Sequence, residues 1–96
     1  MLSTAEIESK LQAIKPELTE KFHVSSIGYF GSYANGQQTE TSDLDLVVEF
    51  SQPVGWSFFT LESFLEQSLG LSIDLITRNG LKERIKASIL NQVKYI

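Results

Sequence analysis

The sequence predicts an α+β fold: a small mixed β-sheet with helices packed on one side. Two patterns lead there. Residues 24–30, 43–50 and 71–76 are short runs, apolar or alternating apolar with polar, as strands of a half-covered sheet are. Three longer stretches repeat apolar residues every three or four positions, as helices with one buried stripe do. The two kinds interleave, so the helices are connections that must lie against the sheet. The 96 residues make one small domain, 1–96, with no room for a second core.

The first helix opens at Ser3-Thr4-Ala5-Glu6, with Ser3 as N-cap and Glu6 completing a capping box. Ile7, Leu11, Ile14, Leu18 and Phe22 form its apolar stripe. Pro16 falls inside this pattern and predicts a kink, or a helix restarting with Pro16 in its first turn. His23, the only histidine, fits a surface position at the helix end better than a proton shuttle. After the strand 24–30 comes Gly31-Ser32, then a short helical turn closed by Ala34-Asn35-Gly36, then a polar connector over 37–41.

The second strand sets Leu44, Leu46, Val48 and Phe50 on one face and Asp43, Asp45, Val47 and Glu49 on the other. Residues 51–55 form a loop. A helix over 56–68 carries Phe58, Leu61, Leu65 and Leu69 in one stripe and stops at Gly70. Trp56, Phe59 and Phe64 widen that face. Core packing is the plain reading of these aromatics; the sharper one puts part of them at a protein interface, since so small a chain has little depth. In the third strand Leu71, Ile73 and Leu75 oppose Ser72, Asp74 and Ile76. Arg78-Asn79-Gly80 turns the chain into a last helix bearing Leu81, Ile85, Ile89 and Val93, and Tyr95-Ile96 is a short tail.

Asp43 and Asp45 stand at i and i+2 on one strand, roughly 7 Å apart at Cα, so their oxygens can converge on divalent ions. Taken alone, such alternation is common on half-exposed strands. Asp74 adds weight: an Asp in mid-strand is disfavoured and calls for a compensating interaction. If its strand neighbours the second one, three carboxylates share a polar face, where their repulsion favours bound Mg²⁺. The Gly31-Ser32 turn offers backbone N–H groups and a hydroxyl to phosphate oxygens. A phosphate cradle beside an acid pair suggests nucleotide chemistry.

Gly31-Ser32, a spacer of about ten residues, and Asp43-Leu44-Asp45 resemble the pattern of the nucleotidyltransferase superfamily related to polymerase beta. The short length and the run Phe30-Gly31-Ser32-Tyr33-Ala34-Asn35-Gly36 look most like its minimal nucleotidyltransferases. The resemblance implies a polymerase-beta-like fold and transfer of AMP from ATP to a hydroxyl. It implies that Asp43, Asp45 and Asp74 are catalytic and hold Mg²⁺, two ions being expected. Gly31, Ser32, Asn35 and Ser42 are the nucleotide-binding candidates. It further implies an antitoxin that modifies a tyrosine of a HEPN-domain toxin partner. One departure stands out: many minimal nucleotidyltransferases have Arg where this chain has Asn35, which brings no charge and no bidentate fork to a phosphate.

Composition bounds the rest. There is no cysteine, so disulfides and thiolate metal sites are excluded. No basic-then-apolar leader opens the chain, and no apolar run nears the roughly 20 residues that span a bilayer, so a cytoplasmic protein without a membrane role is expected. Net charge is −4, and between Phe22 and Thr77 there is no Lys or Arg at all. That acidic centre opposes strong nucleic-acid binding and needs a cation before a nucleotide docks. A chain this short must borrow its acceptor site from a partner or a second copy, in a homo- or hetero-oligomer. Two other readings stay open: a binding module that neutralises its partner by contact, and the catalytic half of a small-molecule nucleotidyltransferase.

Overall fold

The computed structural model describes residues 2–96. Helix α1 (Thr4–Phe22) leads into strand β1 (Val24–Phe30), a four-residue helix α2 (Ser32–Asn35) and strand β2 (Leu44–Phe50). Helix α3 (Ser57–Leu69), strand β3 (Ile73–Thr77), a 3₁₀ turn at Arg78–Gly80, helix α4 (Glu83–Gln92) and strand β4 (Lys94–Tyr95) complete the chain. The sheet order is β3-β2-β1-β4. β2 and β3 run parallel, while β1 is antiparallel to both β2 and β4, so the sheet is mixed as expected.

The capping box closes α1: the Ser3 hydroxyl accepts from the Glu6 N–H at 3.1 Å and the Glu6 carboxylate accepts from the Ser3 N–H at 3.1 Å. The helix runs without a break through Pro16, so it does not restart there. Gln12, whose carbonyl loses its donor to Pro16, is exposed. His23 ends the helix in the left-handed conformation, φ 58°, its N–H donating to the Leu18 carbonyl.

Helices α1 and α3 pack together against one face of the sheet. Ile7, Leu11 and Leu18 from α1 meet Leu61, Leu65 and Leu69 from α3 over Ile27, Tyr29, Leu44, Leu46 and Val48. A fully buried leucine of this kind contributes about 1.5–3 kcal/mol. The aromatic side of α3 divides. Phe64 reaches Phe22 with ring centroids 5.3 Å apart, whereas Trp56 precedes the helix and is 85 % exposed, with Phe59 57 % exposed.

The C-terminal end departs from expectation. Tyr95 is not a loose tail: the pairs Gly28↔Tyr95 and Tyr29↔Lys94 make it part of an edge strand, and the Ile96 N–H donates to the Ile27 carbonyl at 3.0 Å. The Lys15 ammonium, donating to the Ile96 carbonyl at 2.7 Å, ties that edge to α1. Helix α4 is shorter than the apolar repeat implied and contributes no buried residue; Leu81, before it, is buried. On the sheet face opposite α1 and α3, Val93 lies over Gly28, where an added Cβ would meet its Cγ1 at 2.5 Å. Val47, the partner of Gly28 across β1–β2, is only 2 % exposed.

Candidate active site

Three strand ends converge on Asp45. It pairs with Phe30 at the end of β1 and with Asp74 near the start of β3. The parallel register therefore makes the two strands neighbours and sets Asp45 and Asp74 side by side on one face. Asp43, one residue before β2 begins, is exposed, as is Asp74; Asp45 is half-buried.

The charges feel one another. Burial, then Asp74, then Asp43 push the Asp45 carboxyl above the ordinary carboxylate range. A low-dielectric setting disfavours the ionised form, and two like charges nearby add to that. Among the described residues no three His, Cys, Asp or Glu side chains are gathered closely enough to hold a metal ion as they stand. The donors nevertheless suit Mg²⁺ in kind, being hard carboxylate oxygens that a cation would relieve of mutual repulsion.

Gly31 is where the turn touches the acids. Its backbone sits at φ 74°, ψ −147°, and a Cβ built on it would lie 2.2 Å from Asp45 Oδ2. Glycine is required twice, by the backbone conformation and by the close approach of the carboxylate. The Gly31 carbonyl accepts from the Ala34 and Asn35 N–H groups at 3.1 Å each, which starts α2. The amides of Ser32 and Tyr33, in that first turn, have no intrahelical acceptor.

The other candidates sit differently. Asn35 is exposed at the end of α2. Ser42 is turned into its own connector, its hydroxyl accepting from the Thr39 N–H at 2.9 Å. A cavity of about 510 Å³ opens beside Asp43, lined among others by Tyr33, Glu40, Ser42, Leu71 and Ser72. Tyr33 and Ser72 are additions to the sequence candidates; Tyr33 lies inside the glycine turn, but only the fold shows that it walls a cavity. Arg78 donates to Glu49 at 3.0 Å, four residues along β2 from Asp45, roughly 13 Å away.

Residues 11–96 match the nucleotidyltransferase domain family. The chain belongs to it. It is a nucleotidyltransferase, with the small mixed sheet of the minimal members. It is 45% identical to protein adenylyltransferase MntA of Thermococcus cleftensis, over 100% of this chain and 98% of that protein. Identity is 48% to a protein of Methanocaldococcus jannaschii assigned as a protein adenylyltransferase, over 84% of this chain and 95% of that one. Among solved structures, one assigned as a minimal nucleotidyltransferase superposes with a TM-score of 0.83 at 26% identity, covering 97% of this chain and 95% of that one. A toxin–antitoxin solved with AMP-PNP shares the fold, with a TM-score of 0.68 at 23% identity, over 98% of this chain and 72% of that one. Among the described residues no helix is long and apolar enough to cross a membrane.

Proposed function

We propose that this nucleotidyltransferase transfers AMP from ATP to a hydroxyl of a partner protein, a tyrosine of a HEPN-domain toxin, and so acts as the antitoxin of the pair. The observation that carries the reading is the join at Asp45, with Asp74 beside it across β2–β3 and Gly31 against its carboxylate. Two neighbouring acids and the first turn of a helix then meet at one point, an arrangement that suits a triphosphate next to a cation. The relatives named as protein adenylyltransferases, and the related fold solved as a toxin–antitoxin with AMP-PNP, support the acceptor class.

In this reading Asp43, Asp45 and Asp74 would hold Mg²⁺, which would supply positive charge to offset the triphosphate. Gly31 and Ser32 steady the outer phosphates through N–H groups and the Ser32 hydroxyl, with Asn35 at the far end of the same short helix. Asp74, exposed and beside Asp45, takes the proton of the acceptor hydroxyl. The hydroxyl oxygen bonds to the α-phosphorus as the bond to pyrophosphate breaks in line. Ser42 holds the connector that leads into Asp43. The chain acts as one domain in the cytoplasm.

The test is an intact-mass spectrum of the partner toxin after incubation with this protein, ATP and Mg²⁺. A gain of AMP units is expected, and none with Asp43→Asn plus Asp45→Asn. A stable complex with no mass gain in the unaltered protein would instead favour neutralisation by contact, for which Asn35 in place of Arg is the motivating feature. Turnover on a free small hydroxyl compound without the partner would favour the small-molecule reading.

A further inference from the structure

The cavity beside Asp43 holds a group that the fold leaves without a partner. Tyr33 is only 3 % exposed and walls this cavity of about 510 Å³. A buried tyrosine ring ordinarily finds a partner for its hydroxyl. Tyr29 does so, donating to Glu8. The Tyr33 hydroxyl has no hydrogen-bond partner among the described residues and keeps some open surface, which the cavity provides. A ligand seated there would supply the missing bond.

The lining decides what kind of ligand fits. Leu69 and Leu71 give apolar walls, and Ser72 adds a second hydroxyl. The volume falls within the roughly 300–1,000 Å³ usual for ligand sites. Glu40 and Asp43 also line the cavity, and among the described residues no Lys or Arg does. Such a lining repels phosphate and admits a neutral ring with a hydrogen-bonding edge.

Position separates the acceptor from the nucleotide. None of Gly31, Ser32 or Asn35, the residues assigned to phosphate, borders the cavity. Its frame is residues 40–43, which lead into β2, and 69–72, which lead into β3. The first segment ends at Asp43, and Asp74 follows two residues after the second. The cavity therefore adjoins the acids and not the phosphate turn.

We propose that this cavity seats the ring of the acceptor tyrosine, with the Tyr33 hydroxyl donating to the acceptor oxygen. The inference rests on the function proposed above and adds where the acceptor lies. The ring lies against Leu69 and Leu71, and its hydroxyl is at the end of the cavity that Asp43 borders. The Tyr33 O–H takes one lone pair of that oxygen, which leaves the oxygen's own proton for the Asp74 carboxylate. Ser32 and Tyr33, consecutive in one turn, then grip phosphate and acceptor respectively.

Two variants distinguish acceptor from nucleotide. Tyr33→Phe keeps the buried ring and removes only the hydroxyl. Ser72→Phe, at an exposed position, fills the cavity without altering the core. Initial rates of AMP transfer are measured with the partner protein and ATP varied separately. KM for the partner is expected to rise roughly three- to tenfold in Tyr33→Phe, the loss of one neutral hydrogen bond, and further in Ser72→Phe. KM for ATP stays unchanged in both, and Tyr33→Phe melts with the unaltered chain because the lost hydroxyl had no partner in the fold. A raised KM for ATP beside an unchanged one for the partner gives the cavity to the nucleoside and overturns the proposal. Two unchanged constants overturn it as well. A second measurement needs no turnover. In amide NMR spectra, millimolar N-acetyltyrosinamide is expected to shift the Tyr33 resonance in the unaltered chain but not in Ser72→Phe, and adenosine at the same concentration to leave it in place. Those shifts without AMP transfer to the partner uphold the phenol site and defeat the transfer reading alone. No shift with the tyrosine amide overturns the site whether or not the partner is modified.

Discussion

Replacing Gly31 with Ala separates the two demands placed on that residue. The backbone demand is conformational: φ 74° with ψ −147° lies in a region almost closed to side chains, and holding Ala there costs about 1–3 kcal/mol. For a domain of this size that lowers the unfolding temperature by roughly 5–20 °C. The second demand is spatial. The new methyl would stand 2.2 Å from Asp45 Oδ2, where ordinary contact begins nearer 3.5 Å, so the carboxylate must retreat by about 1 Å. A displacement of that size in a reacting constellation costs on the order of 100-fold in rate. Gly36→Ala is the matched control, because Gly36 has φ 71° and nothing within 4 Å of its added Cβ. Both variants are expected to lose stability in thermal melts. Only Gly31→Ala should lose AMP transfer beyond its loss of folded protein, read as pyrophosphate release with the acceptor present. Equal activity in the two variants at a temperature where both are folded would refute the role given to the Gly31–Asp45 contact.

Asp45→Asn should abolish transfer yet stabilise the fold at neutral pH. The Asp45 carboxyl is held above its ordinary range by burial and by Asp74 and Asp43, so its contribution to stability is present below the unfolded-state value and lost as pH rises through the raised one. Thermal melts across pH should therefore show the variant ahead at pH 7 and the gap closing in acid. Asn35→Arg, at an exposed site, should tighten ATP binding several-fold in calorimetry if that position meets phosphate, through a charge-assisted bond of about 1 kcal/mol. Tyr29 is buried with its hydroxyl donating to Glu8, and burial, then that bond, pushes its phenol up to about 12. In an absorbance titration it should ionise near that value, and Tyr29→Phe should cost about 1 kcal/mol in urea unfolding while transfer is kept.

The parts legible in the sequence are those where a local rule and the tertiary structure agree. The capping box, the stripes of α1 and α3 and the face alternation of β2 need only neighbours three or four residues away, and each is present. The pairing of Asp45 with Asp74 is different in kind. The sequence supplies two acids on strands of suitable pattern, but their adjacency depends on β3 lying parallel to β2 in one register; a slip by one residue would turn Asp74 to the other face. At Pro16 the alternative of a restarting helix fails, since α1 is one element from Thr4 to Phe22. Tyr95 misled because a two-residue strand carries no periodicity; what holds it is Gly28, whose missing side chain admits Val93.

The candidate site lies on the strand that the core holds most firmly. Along β2 the buried face is continuous from Leu44 to Val48, so the strand is held firmly on one side whatever its other side carries. That lets the opposite side bear residues that work against folding: a half-buried Asp45 with its charge opposed by its surroundings and a second acid directly across. Like-charge repulsion between these acids is the kind of cost that a cation between them would relieve, as the proposed function requires. The position Asn35 fits this account as well. Arg78 is paired with Glu49 and Asn35 carries no charge, so under the proposed function phosphate binding is expected to depend on the metal more steeply here than in a chain with Arg at position 35. The Asn35→Arg variant should then retain more ATP affinity than the unaltered chain when Mg²⁺ is withdrawn by chelation. Equal losses in the two would place Asn35 outside the phosphate site.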